Sequence, residues 1–138
     1  DIVRFLLTFP TPSLKINKIV TMGAPFNEFE VLNDGETMEQ MLARGPENES
    51  DRYSQLSPLM ENFPKEIPWL NIAGLRAENN PNDGDGTVPL GSAEALTAEA
   101  TKNQLLYENQ VFTGSEYYHS GLHEEQKVDE VVSDFLWN

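Results

Sequence analysis

Apolar residues in this chain occur in short runs that are separated by polar and turn-forming segments. Three of these runs are rich in β-branched or aromatic residues, and glycine or proline ends or closely follows each one. A short apolar run bounded in this way is typical of a buried strand. The predicted strands cover residues 18–23, 69–74 and 105–112.

The clearest helical pattern lies in residues 124–137, where five apolar side chains form a single stripe. Glu124 and Glu125 stand near its start, where carboxylates favour the helix dipole. Residues 1–9 also read as a helix, which Pro10 ends. The residues of the stripe are Val128, Val131, Val132, Phe135 and Leu136.

Residues 27–67 are polar and interrupted, and they predict a helical insertion between the first two strands. Met38, Met41 and Leu42 have helical spacing, and Ser57-Pro58 offers a cap and a first-turn proline for a second short helix. Such an insertion commonly forms a lid over a site, although it is equally consistent with two surface helices that cover the core.

Strands that alternate with helices predict an α/β fold with a parallel sheet. Ser92 is expected to cap a further short helix through Leu96, between the second and third strands. Three strands make an incomplete sheet, because a parallel sheet is normally covered on both faces and extended on both sides. Residues 1–138 are therefore interpreted as a portion of one domain.

The charge balance of the chain limits the partners that it can bind. There are 9 basic and 23 acidic residues, which give a net charge of −14. Nucleic acids and anionic membranes both require clustered lysine and arginine, so neither is expected as a partner. The absence of cysteine excludes disulfides, thiolate metal sites and a cysteine nucleophile. No apolar run approaches the length of a membrane span.

Two polar loops carry the candidate chemistry. Asp85 lies in a glycine turn after the second predicted strand, and His119 lies in the loop after the third. Loops at the carboxyl ends of parallel strands meet at one edge of the sheet, so the two side chains are expected to lie together. An acid followed by a histidine is also the chain order of the last two members of an α/β-hydrolase triad. No Gly-x-Ser-x-Gly is present to supply the nucleophile.

Other interpretations of these residues remain open. Asp83 and Asp85 could form a solvated turn, because Asp-Gly is a common turn dipeptide. The segment does not match a calcium-binding loop of the EF-hand type, because that template requires an acidic residue where Pro81 stands and a glutamate where Ser92 stands. His119 and His123 have a spacing that could bind zinc on one helix, but the intervening Gly121 disfavours a continuous helix there.

Several strings of the sequence are informative through their order and spacing: Lys18-Ile19-Val20-Thr21-Met22-Gly23-Ala24-Pro25-Phe26-Asn27, Asn71-Ile72-Ala73-Gly74, Asp85-Gly86-Thr87-Val88-Pro89 with Ser92-Ala93, His119-Ser120-Gly121-Leu122-His123-Glu124 and Phe135-Leu136-Trp137. In this order they resemble the lipase-like α/β-hydrolases known in Gram-positive bacteria as cell-surface hydrolases. The Gly-Asp-Gly-Thr-Val string also resembles acyltransferases and lipases related to lecithin–cholesterol acyltransferase.

The resemblance implies that Asp85 is the triad acid and His119 the triad base of an esterase or lipase-like enzyme. It places the nucleophile and the oxyanion hole upstream of Asp1, so the chain alone is expected to be inactive. It implies an ester substrate, no cofactor, no metal and an extracellular or cell-surface location. Self-association, or association with the missing half, is expected. The alternative is a non-catalytic binding module with a degenerate hydrolase fold.

Overall fold

The computed structural model describes residues 15–26, 57–77, 80 and 83–138. The helices predicted over residues 1–9 and around residues 38–42 lie outside these ranges. The described elements, in chain order, are strand β1 (Ile19–Met22), a 3-10 helix (Ser57–Asn62), strand β2 (Trp69–Leu75), helix α1 (Leu90–Ala93), helix α2 (Leu96–Lys102), strand β3 (Tyr107–Thr113) and helix α3 (Gln126–Trp137).

The strands form one parallel sheet in the order β1-β2-β3. Ile19 is in register with Trp69, which is in turn in register with Tyr107. Because all three strands run in the same direction, the loops that follow them emerge at the same edge. The predicted α/β class and the parallel arrangement are therefore confirmed.

One face of the sheet packs against the 3-10 helix and α2. Trp69 is the centre of this layer, with ring centroids 5.9 Å from Phe26, 5.4 Å from Phe63 and 6.1 Å from Tyr107. Leu96 of α2 is fully buried in the same cluster. Contacts among these rings hold the segments that carry Phe26 and Phe63 against the sheet.

The opposite face packs against α3 and the loop that precedes it. Leu70 and Ile72 alternate with the residues of the first face, as the pleat of a strand requires. They contact Leu122 and Val128, all four being fully buried. The predicted stripe of α3 is confirmed in outline: Val128 is buried, Val131, Val132 and Phe135 are partly buried, and Leu136 is about one-third exposed.

A row of polar side chains crosses the first face between these apolar groups. Thr21, Asn71 and Asn109 are in register on the three strands. Thr21 Oγ1 donates to Asn71 Oδ1 at 2.8 Å, and Asn71 Nδ2 donates to Asn109 Oδ1 at 2.7 Å and to the Ala93 carbonyl at 2.9 Å. Asn71 is fully buried, and these bonds satisfy the polar groups of its amide. The bond to the Ala93 carbonyl also joins the sheet to α1.

Three predictions need correction. The third strand is not a buried strand, because β3 ends the described sheet and each of its residues is half-buried or exposed. Ser92 does not cap a helix, because α1 begins at Leu90 after Pro89 and Ser92 is buried inside it. The single helix expected there is two helices, since α2 follows at Leu96.

Candidate active site

Asp85 lies in a tight turn after β2, and its carboxylate is almost completely buried. The flanking residues Gly84 and Gly86 adopt positive φ angles of 52° and 85°, a conformation in which glycine is favoured. Asp85 Oδ1 accepts the backbone N–H groups of Thr87 at 2.9 Å and Val88 at 2.7 Å. The turn therefore fixes one carboxylate oxygen and leaves the other, Oδ2, to face a different partner.

That partner is His119, in the loop after β3. The distance between His119 Nδ1 and Asp85 Oδ2 is 2.7 Å. A second bond joins the two residues, because the His119 backbone N–H donates to the Asp85 carbonyl at 2.9 Å. Backbone and side chain thus hold the histidine loop to the acidic turn, across 34 residues of sequence.

The arrangement sets how the imidazole can act. A carboxylate oxygen accepts the bond, so Nδ1 is the nitrogen that donates a proton to it. Nε2, on the other side of the ring, is then the nitrogen that can accept a proton from another group. The side chain of Asp85 is 1% exposed while that of His119 is 41% exposed, so the acid is enclosed and the base reaches the surface. A buried acid that orients an accessible base is the arrangement found in hydrolase triads.

The structure thus brings together the two side chains that the strand order predicted to be close. Their catalytic role stays a prediction, because the sequence contains no Gly-x-Ser-x-Gly string to supply a nucleophile.

Asp83 has a different partner. Arg76 donates to it from Nε at 2.9 Å and from Nη2 at 2.6 Å, a bidentate ion pair. The bond to Asp83 raises the pKa of the Arg76 guanidinium. Asp83 is therefore neither the histidine's acid nor a freely solvated turn residue, and it ties the turn back to the end of β2.

His123 takes no part in the pair. It is exposed, it precedes α3, and its Nε2 lies 3.8 Å from Glu124 Oε1. Within the ranges that the structure describes, no group of three or more histidine, cysteine, aspartate or glutamate side chains is placed to hold a metal ion. The described helices also include none that is long and apolar enough to cross a membrane.

Two glycines at the ends of predicted strands lie beside the pair. Gly23 follows β1 with φ of +55°, and Gly74 lies near the end of β2. A methyl group added to either would meet an atom of Asp85 at less than 3 Å. In the sequence, each of these glycines ends an apolar run, and that pattern does not reveal which side chain packs against the glycine.

Comparison with solved structures identifies a similar fold. The crystal structure of the product of the gene lin2722 from Listeria innocua matches with a TM-score of 0.71 and 22% sequence identity. The match covers 99% of this chain and 53% of that one, so the chain spans about half the length of this relative. No curated protein matches the sequence.

The family comparison covers nearly the whole chain. Residues 4–138 match the sequence profile of a family described as alpha/beta hydrolases of unknown function, DUF915. The parallel sheet and the Listeria structure agree with that fold. This chain therefore belongs to the DUF915 family of alpha/beta hydrolases.

Proposed function

We propose that the protein of which this chain forms part is a serine hydrolase that acts on an ester or a related acyl bond. The observation that carries the proposal is the 2.7 Å bond between His119 Nδ1 and the buried carboxylate of Asp85. In this proposal Asp85 orients the ring, and His119 Nε2 takes the proton of a serine hydroxyl as general base. The same nitrogen then returns the proton to the leaving group.

The serine and the oxyanion hole would be supplied by residues upstream of this chain, as in other α/β-hydrolases. The resemblance to lipase-like cell-surface hydrolases supports an ester substrate and a cell-surface location. We therefore expect the 138-residue chain alone to be inactive and the full-length protein to hydrolyse short acyl esters.

Two aspartates in one turn give a matched test in the full-length protein. Asp85→Asn and His119→Ala are each expected to lower kcat/KM for an acyl ester by about four orders of magnitude, because triad members act as a unit. Asp83→Asn, two positions away, should lower it less than about tenfold, because Asp83 bonds to Arg76 instead.

A full-length enzyme that is active but indifferent to His119→Ala would exclude this mechanism. An inactive full-length protein without an upstream Gly-x-Ser-x-Gly would instead favour a binding module built on a hydrolase fold.

A further inference from the structure

We infer that Gly23 and Gly74 are positioning residues for the Asp85–His119 pair. Gly23 lies against both side chains of the pair, and Gly74 lies against Asp85 and the loop that carries His119. Together, at the carboxyl ends of β1 and β2, they are called the glycine floor. The functional meaning of this inference rests on the proposed hydrolase activity, but its structural content does not.

Gly23 lies directly against the bond that joins the pair. A methyl group at Gly23 would be 2.8 Å from Asp85 Oδ2, 3.1 Å from His119 Nδ1 and 3.2 Å from His119 Cε1. Those are the two atoms that form the bond, and one ring carbon beside it. Gly23 N–H also donates to the Ile72 carbonyl at 2.9 Å, which ties this backbone to β2. A side chain here would push the carboxylate and the imidazole away, because its backbone is held to β2 by this bond and the nearest atoms belong to those two side chains.

Gly74 supports the same pair from the neighbouring strand. A methyl group there would be 2.3 Å from the Tyr117 carbonyl oxygen and 2.9 Å from Asp85 Cβ. Tyr117 is two residues before His119, so the contact involves the histidine loop and the acid together. Unlike Gly23, Gly74 does not adopt a positive φ. Substitution at Gly74 therefore tests close approach without the strain of left-handed backbone.

The chain supplies a matched control for the loss of glycine itself. Gly91 is exposed on α1, and a methyl group there would meet no atom within 4 Å. We expect Gly91→Ala to change neither the pair nor the activity by more than twofold.

The first test follows the bond in the 138-residue chain by ¹H–¹⁵N NMR of the histidine ring. The Nδ1 proton of His119 should give a downfield, slowly exchanging signal that Asp85→Asn abolishes. Gly23→Ala and Gly74→Ala should also lose this signal, whereas Gly91→Ala should keep it. A signal that persists unchanged in a folded Gly23→Ala chain overturns the inference.

The second test separates contact with the pair from backbone strain. Gly23→Ala should lower the Tm of the chain, and at least half of that loss should vanish in the His119→Ala background, because the ring is then gone. If Gly23→Ala does not fold alone, folding of the double variant Gly23→Ala/His119→Ala supports the inference. An equal loss of Tm in both backgrounds, or failure of both variants to fold, contradicts it.

Neither test needs an active enzyme. An inactive parent protein would refute the proposed function, but the two tests would still decide whether the glycine floor positions the pair. In an active parent, Gly23→Ala should lower kcat/KM at least 100-fold, and Gly91→Ala should stay within twofold. Full activity in a folded Gly23→Ala enzyme would show that the glycine does not position the reacting groups.

Discussion

At the scale of single residues, Asn71 shows how a polar group is accommodated in the core. Its amide contacts both neighbouring strands and α1, and it is fully buried. An apolar residue of similar size would fill the space but would leave its bonding partners, Thr21, Asn109 and the Ala93 carbonyl, without the amide. Stability at this position therefore depends on satisfied bonds as well as on filled volume.

Asn71→Leu is expected to lower the free energy of unfolding by about 1–3 kcal/mol, because it leaves buried hydrogen-bond donors and acceptors without a partner. Urea denaturation of the chain measures the change. Asn138→Leu, at the exposed terminus, is the control and should stay within about 0.5 kcal/mol. Equal effects of the two substitutions would mean that the polar row contributes little.

The partly buried phenol of Tyr107 is expected to make the folded chain less stable at alkaline pH. Burial raises the pKa of its phenol, and the charge of Glu94 adds to this effect. The folded chain then keeps the phenol proton to higher pH than the unfolded chain does. The resulting stability is fully present below the ordinary tyrosine pKa of about 10 and is lost as the pH rises above it.

Tyr107→Phe should therefore flatten the decline of the unfolding free energy above about pH 10. Denaturation curves recorded from pH 8 to pH 11 would show the change of slope. Tyr118→Phe, at an exposed tyrosine, is the matched control. An unaltered alkaline decline in the Tyr107→Phe chain would assign the loss to other groups.

At the scale of elements, the end of α3 is held by a side chain from the other end of the described sequence. Lys18 Nζ donates to the carbonyls of Phe135 at 2.6 Å and Leu136 at 3.2 Å, and lies 5.6 Å from the centre of the Phe135 ring. The last carbonyls of a helix have no partner within the helix and carry partial negative charge. Lys18 therefore caps α3 and joins it to the start of β1.

Lys18→Met keeps most of the side chain but removes the ammonium group, and it should lower stability by about 1 kcal/mol. The difference from the unmodified chain should shrink at high salt, because part of the interaction is electrostatic. Thermal denaturation at two ionic strengths measures both effects. Lys65→Met, at an exposed loop position, should have no comparable effect; a similar loss there would contradict the capping role.

The periodicity of the sequence was sufficient to locate β1, β2 and α3 within two residues of their observed starts. It also located β3, which begins at Tyr107, two residues after the predicted start. It did not reveal the partial exposure of β3, because a run of apolar and polar residues does not show which strand ends a sheet. The Asp85–His119 contact could be predicted from strand order, since parallel strands deliver their loops to one edge. The packing of Gly23 and the pairing of Asp83 with Arg76 could not, because both depend on the three-dimensional course of turns.

At the scale of the whole molecule, we propose that the isolated chain associates through β1. In the described ranges β1 pairs with β2 on one side, and no described strand pairs with its other side. An unpaired strand edge beside apolar side chains favours pairing with another chain. The net charge of −14 opposes close approach, so association should increase when salt screens that charge.

Light scattering of the purified chain at micromolar concentration, at about 0.05 M and 0.5 M salt, tests this expectation. We expect a dimer or larger species, more abundant at the higher salt. A stable, cooperatively folded monomer under both conditions would show that the edge of β1 is covered by other residues of the chain.

The bond from the His119 backbone N–H to the Asp85 carbonyl has a consequence for hydrogen exchange. The imidazole is open to water, yet the amide of the same residue can exchange only when the loop separates from the acidic turn. The exchange rate of this one amide therefore reports how often the assembled pair opens. It does so in the 138-residue chain and without a substrate.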